Sequence, residues 1–232
     1  MTTAREIPRA VRRLLDHNIE LIEWGDQVLE SFGYPSVTSV FAFAVNDSTI
    51  GLACHILLEA GFCCVEPSLS LRCLGVFGTA GHLFVSSDDK TRSPTLLQIL
   101  PQSLVHLQTK DTELSEFWVN LDLKVHRPKL AELCIALVRC LKDYQIGSLD
   151  RLEPERHLAT LIAAGIYKER SFGKIWVPEE ELESESDFQA RKSIAIEEIA
   201  GWTLRKDIEQ YRKDLIDIVV NPNHPLSDIV LR

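Results

Sequence analysis

Residues 24–45, WGDQVLESFGYPSVTSVFAFAV, constrain this chain more than any other stretch. Trp24-Gly25-Asp26 reads as a glycine-led turn, with Asp26 placed to cap the helix DQVLESF. Gly33 stops that helix, and Gly33-Tyr34-Pro35 makes a corner, because proline presets its own φ. The segment VTSVFAFAV that follows is rich in β-branched and aromatic residues, as a central strand should be. A strand, a tight turn, a short helix and a buried strand thus lie within about two dozen residues of each other.

The flanking sequence extends the pattern. Residues 8–18 predict a first helix with Val11, Leu14 and Leu15 on its apolar face and Pro8 in its first turn. IELIEW predicts a short strand, with Ile19, Leu21 and Ile22 apolar and Glu20 and Glu23 polar. Asn46-Asp47-Ser48 signals a turn and cap before a helix whose apolar face is Ile50, Ala53, Leu57 and Leu58, ended by Gly61. CCVEP begins a strand. SLRCLGVFGTAGHLFVSS reads as two strand-like runs joined by glycines. LLQILPQSLVHLQTK reads as a short helix followed by the strand LVHLQ. In VNLDLKV, Val119, Leu121, Leu123 and Val125 alternate with polar residues, a half-buried strand. From Pro128 onward the chain predicts helices: PKLAELCIALVRCLKDY, then LEPERHLATLIAAGIYKE, then a long charged helix within 193–220 that includes WTLRKDIEQYRKDLIDIVV. The expected organisation is an α/β part over 1–127 and an all-helical part over 128–232.

Charge and cysteine usage narrow the partners. The formal net charge of −9 over 232 residues offers no broad basic face to displace counterions from nucleic acid, so no nucleic-acid partner is expected. Six cysteines show no CxxC pair and no histidine at finger spacing, which argues against zinc and for buried free thiols in a reducing compartment. No apolar run reaches the ~20 residues of a membrane span, and the N-terminus lacks a signal-like apolar core. A cytoplasmic location is expected. The acidic residues 179–187 read as a solvated linker or an exposed helix start.

The order of elements around W-G-D-x-x-L-x-x-x-G-x-P resembles the nucleotidyltransferase fold over roughly residues 9–170. Together with the loop TRSPT and the helix RPKLAEL, it is similar to an uncharacterised fungal branch of that superfamily. The resemblance implies an α+β architecture: a nucleotidyltransferase-like mixed sheet with flanking helices, then an all-helical C-terminal part. It also implies two carboxylates, two residues apart, on the strand after the turn. Residues at i and i+2 of a strand share a face, and paired carboxylates there give magnesium the hard oxygen ligands that phosphoryl chemistry needs. This chain departs from the pattern. No Asp or Glu occurs between Ser31 and Asn46; the alternating positions are Thr38, Val40 and Ala42, or Ser39, Phe41 and Phe43. The resemblance implies a third carboxylate, for which Asp122 in the run LDL is the candidate, a half-exposed strand's surface residue being the alternative. No cofactor and no metal are expected.

A cleft that has lost its carboxylates and gained Phe41 and Phe43 suits an uncharged organic substrate. Orphan fungal proteins of this kind are similar to natural-product enzymes, and the norbornene-forming Diels–Alderases of sordarin-type terpenoid pathways are the class the chain is most readily compared with, although no residue motif carries that comparison. Such a pericyclase needs a shaped pocket and one or two hydrogen-bond donors. The candidate donors are His106, Asp122, His126 and Arg127; the candidate walls are Trp24, Ser39, Phe41, Phe43 and Trp118. Two other functions fit the sequence. One is a non-catalytic pseudo-nucleotidyltransferase that binds a protein partner. The other is residual nucleotidyl transfer with carboxylates borrowed from Asp26 or Asp47. GVFGTAG lacks the Lys-Ser/Thr ending of a phosphate loop, and Ser39 has no nucleophile elbow around it.

Overall fold

A computed structural model of the chain describes residues 3–34, 38–86, 95–168 and 184–220. Pro35, the loop TRSP, most of the acidic stretch and the C-terminal residues NPNHPL lie outside them. The chain divides into two compact units, Met1–Val28 with Ser36–Lys129, and Leu29–Pro35 with Leu130–Arg232.

The first unit runs α1 (Thr3–Asp16), β1 (Ile22–Trp24), α2 (Asp26–Ser31, which reaches across the division), β2 (Val40–Val45), α3 (Ile50–Glu59), β3 (Phe62–Val65), α4 (Leu69–Arg72), α5 (Val76–Thr79), β4 (His82–Ser86), β5 (Leu96–Pro101), α6 (Gln102–Val105), β6 (Thr112–Phe117) and β7 (Asn120–Pro128). The described strands form one seven-stranded mixed sheet in the order β3-β4-β5-β2-β1-β7-β6. VFAFAV is therefore the middle strand, antiparallel to β1 and parallel to β5. Its burial on both faces explains why it reads as a continuous apolar run. One face of the sheet carries Leu21, Phe41, Phe43, Val45, Leu97, Ile99 and Val125, packed with Val11 and Leu14 of α1 and Ala53 and Leu57 of α3. Asn46 caps the turn into α3 as its sequence signals, accepting the Ser48 backbone N–H at 3.0 Å. On α3 it is Ile56, not Leu58, that joins Leu57 in the core; Leu58 stays half-exposed.

Three sequence expectations fail for physical reasons. LLQILP is a strand and QSLV the helix, the reverse of the expected order. An apolar run this short fits either element by periodicity, and pairing of LLQILP along the whole of β2 decides it. The expected strand-like run at 69–79 is two single-turn helices, α4 and α5, held by glycines. A Cβ on Gly78 would lie 1.8 Å from the Leu71 carbonyl oxygen. A Cβ on Gly81, whose φ is +70°, would lie 2.0 Å from that of Ile99. Third, Pro128 closes β7, and the first helix after it begins two residues later.

The second unit is helical among its described residues: α7 (Leu130–Asp143), α8 (Leu152–Thr160), a π-helical turn Leu161–Ile166 that continues α8, α9 (Glu185–Gly201) and α10 (Tyr211–Val220). The long charged helix expected within 193–220 is thus broken: α9 ends at Gly201, and α10 begins only at Tyr211. Gly201 ends α9, and the Arg212 guanidinium donates to the carbonyls of Ile199, Ala200 and Trp202, satisfying the open end of that helix. The Tyr167 hydroxyl donates to the Val219 carbonyl at 2.8 Å, and Lys142 pairs with Asp214 at 2.7 Å. No helix among the described residues is long and apolar enough to cross a membrane. Of the cysteines only Cys134 and Cys140 are buried; Cys63, Cys64 and Cys73 are exposed and Cys54 is intermediate, so the expectation of uniformly buried thiols is corrected.

Candidate functional site

Two faces of the sheet meet at the glycine turn, and they differ in chemistry. Gly25 takes a φ of +75°, which lets β1 turn at once into α2. A Cβ built there would sit 3.7 Å from the Ala42 Cβ, so the face of β2 that looks at the turn is the face of Ala42 and Ala44. Strand pairing agrees: Trp24 stands opposite Ala42, and Ile22 opposite Ala44.

This turn-side face is already filled. Trp24 is buried and stacks on Phe77, with centroids 5.8 Å apart and planes 23° off parallel. The buried Gln27 amide donates to the Ala42 carbonyl at 2.6 Å. Gln98, which pairs with Ala42 from β5, donates to the carbonyls of Phe77 and Ala80 at 2.8 and 3.1 Å. A magnesium ion needs several hard oxygen ligands here, and Ala42 and Ala44 supply none. Among the described residues no group of three or more His, Cys, Asp or Glu side chains could hold a metal. The residues present do not fit the metal that the resemblance implies. Of the carboxylates considered for borrowing, Asp47 is occupied, accepting the Ser103 backbone N–H at 3.1 Å, and Asp26 opens α2.

The opposite face carries ionisable groups. Glu23 pairs with Phe43 on β2, and the alignment of β1 with β7 sets Arg127 on its other side. Arg127 Nε donates to Glu23 Oε2 at 2.8 Å, and its Nη2 donates to the Glu116 carbonyl at 3.1 Å. Glu23 is fully buried, and its Oε1 has no hydrogen-bond partner among the described residues. Desolvation raises its pKa from 4.5 to about 7, only partly opposed by the Arg127 charge and hydrogen bond. Arg127 keeps 20% of its side chain exposed. On this same face Phe41 and Phe43 meet Phe117 edge-on, at 6.2 and 5.8 Å. Trp118 stacks on Phe41 at 5.9 Å and is 44% exposed, so the aromatic cluster reaches solvent there.

The structure therefore separates the nine candidate residues. Arg127, Phe41 and Phe43 share the helix-packed face, and Trp118 joins them through Phe41. Trp24 and His126 lie on the other face, where the His126 Nδ1 and the Thr112 hydroxyl are 3.0 Å apart. Ser39 is an exposed bend before β2, its carbonyl bonded by the Leu96 N–H. Asp122 is exposed near the hairpin end of β7, and His106 closes α6 in the left-handed conformation. Phe43 is fully buried and Phe41 is 6% exposed, both packed into the core.

No family model matches the chain, and no curated protein matches it. Among the solved structures to which it is similar is an aminoglycoside nucleotidyltransferase. That protein is the antibiotic-resistance factor ANT(2'')-Ia, matched over 70% of this chain and 85% of that one, at 12% identity and a TM-score of 0.43. A likeness that loose carries no inference about activity.

Glu23 was absent from the sequence-derived candidates although a signal existed. Strand periodicity puts Glu23 on the side of Leu21, the core side, rather than with Glu20. The expectation named Glu23 only as polar and did not assign it a face of the strand.

Proposed function

We propose that this chain is a metal-independent enzyme on a nucleotidyltransferase-like scaffold, acting on an apolar small molecule in fungal secondary metabolism, by Diels–Alder cyclisation of a terpenoid. The carrying observation is the Glu23–Arg127 pair set beside an aromatic cluster that surfaces at Trp118. Apolar and aromatic surface with a few fixed polar groups is the make-up of small-molecule sites. The strand, glycine turn, helix and strand over residues 22–45 support the scaffold relation, and Ala42 and Ala44 in place of carboxylates support the loss of metal chemistry. A Diels–Alder step converts three π bonds into two C–C σ bonds and one new π bond. No atom, electron or proton is exchanged with the protein, so no cofactor is required. The protein's part is to hold diene and alkene together and to polarise one end by hydrogen bonding. We place that donor on Arg127, because it alone of the four candidate donors lies on the face of Phe41 and Phe43. The exposed free thiols of Cys63, Cys64 and Cys73 support a reducing, cytoplasmic setting.

A terpenoid bearing a cyclopentadiene and a pendant alkene tests this reading. The chain should accelerate norbornene formation, EDTA should leave the rate unchanged, and Arg127→Ala should lower it about tenfold or more, the worth of one charge-assisted hydrogen bond. A rate equal to that in buffer alone overturns the proposal. One observation favours the alternative of a protein-binding module: Leu114 and Leu121 on the β6–β7 hairpin are 60% and 63% exposed.

A further inference from the structure

The Glu23–Arg127 pair is unusual in its incompleteness. A buried carboxylate ordinarily has both oxygens bonded, because an unsatisfied charged oxygen in an apolar surrounding is costly. Glu23 Oε1 is buried and has no hydrogen-bond partner among the described residues, whereas Oε2 is held by Arg127. Arg127 uses Nε on Glu23 and Nη2 on the Glu116 carbonyl, and a guanidinium carries five N–H donors. The pair thus holds an arginine whose fork is fixed from behind while part of it stays open to solvent. The Glu116 carbonyl that Arg127 bonds directly precedes Phe117 in the chain, and Phe117 belongs with Phe41 and Trp118 to an aromatic cluster whose exposed end is Trp118.

We propose that Arg127 is an anchor for the carboxylate of an apolar organic acid, that Trp118 covers the ligand's carbon skeleton, and that Glu23 is the positioning residue that holds the guanidinium. The proposal rests on the small-molecule reading above and names the substrate class: a terpenoid or similar hydrocarbon carrying a carboxylate. A guanidinium recognises a planar carboxylate through two parallel N–H bonds, which fixes orientation as well as adding affinity. Glu23 decides when the anchor is free. While Glu23 is ionised it neutralises Arg127 from inside; once protonated it leaves the arginine charge available to an incoming anion. Ligand binding and Glu23 protonation are then linked.

The charges around the pair are few. Arg127 is the one charge that acts appreciably on Glu23. Glu113 stands across from Arg127 on β6 and is exposed, a weak competitor for its outer N–H groups. His126 lies on the other face, beside Thr112. On α1, which packs against the same face, Glu6 and Arg9 bond one another and Ser86, and Arg12 and Arg13 are exposed. Phe43 is the neighbour from β2 and carries no charge.

Fluorescence titration of the full chain with 1-pyrenebutyrate, between pH 6 and 8.5, tests the site. Its carboxylate stays ionised throughout that range, so any pH dependence comes from the protein. The wild-type Kd should be constant below about pH 7 and weaken by up to about tenfold per pH unit above it. Glu23→Gln, an isosteric change, should bind at the low-pH wild-type affinity and lose the pH dependence. Arg127→Ala should weaken binding about tenfold or more, and Arg127→Lys should lose most of that affinity while keeping the charge, because a lysine lacks the fork. Pyrenemethanol, without the carboxylate, should bind all four proteins alike. A wild-type Kd that does not change from pH 6 to 8.5, or an Arg127→Ala protein that binds pyrenebutyrate as wild type does, overturns the anchor. Either result leaves the metal-independent cyclisation to be judged by its own EDTA-resistant rate. Loss of that rate with pyrenebutyrate binding intact counts against the reaction and not the anchor.

Discussion

Phe43→Ala is expected to lower the free energy of unfolding by about 3–5 kcal/mol, the usual cost of emptying a buried phenylalanine site. Phe43 is fully buried in the middle strand, meets Phe117 edge-on at 5.8 Å and packs in the cluster with Leu97, Ile99 and Val125. Neighbours anchored in a sheet on one side and helices on the other relax little into the void. Domains of ordinary stability have about 5–15 kcal/mol in total, so the loss is a large share of it. Trp118→Ala, at a side chain 44% exposed, should cost far less stability while removing the apolar flank at the surface. Urea denaturation of both variants reads the difference. A Phe43→Ala cost below about 1 kcal/mol would show that Phe43 lines an open cavity rather than the core.

The second large effect is the dependence of stability on pH through Glu23. Its folded pKa of about 7 lies above the unfolded value of 4.5, because burial penalises the carboxylate more than Arg127 rewards it. A group with a raised folded pKa adds stability that is fully present below the unfolded pKa and is lost as pH rises through the folded one. Glu23 should therefore make the protein less stable at pH 8 than at pH 4.5, by about 3 kcal/mol from this group alone. Glu23→Gln removes the titration. The difference in unfolding free energy between wild type and variant, followed from pH 4.5 to 8, should fall by that amount across pH 4.5–7 and then level off. A difference that rises with pH over the same range would mean that the Arg127 ion pair outweighs desolvation and that Glu23 is ionised throughout.

The scaffold was legible where sequence signals were redundant. The turn at Gly25, the cap at Asn46 and the β-branched, aromatic composition of VFAFAV each agree with an independent neighbour. Legibility ended where one short apolar run suited two elements. LLQILP becomes a strand through pairing with β2, and the two helical turns of residues 69–79 pack closely where Gly78 admits the Leu71 carbonyl oxygen that a side chain would exclude. Neither cause is local. The site was harder still. The absence of paired carboxylates on β2 is written in the sequence, yet which residues face the glycine turn is set by register. A shift of one residue exchanges Ala42 and Ala44 for Phe41 and Phe43. The pairing of Glu23 with Arg127 joins residues 104 apart and follows only from the parallel placement of β7 beside β1.

The central proposal is that this chain works without metal-bound nucleotide. Thermal unfolding of the chain with ATP and magnesium, against the same buffer without them, tests it most directly. The account predicts superimposable transitions at nucleotide concentrations well above the micromolar range. A nucleotide bound at a hundredfold excess over its Kd would add about 2.7 kcal/mol and raise the Tm by several degrees. A magnesium-dependent rise of that size would contradict the account.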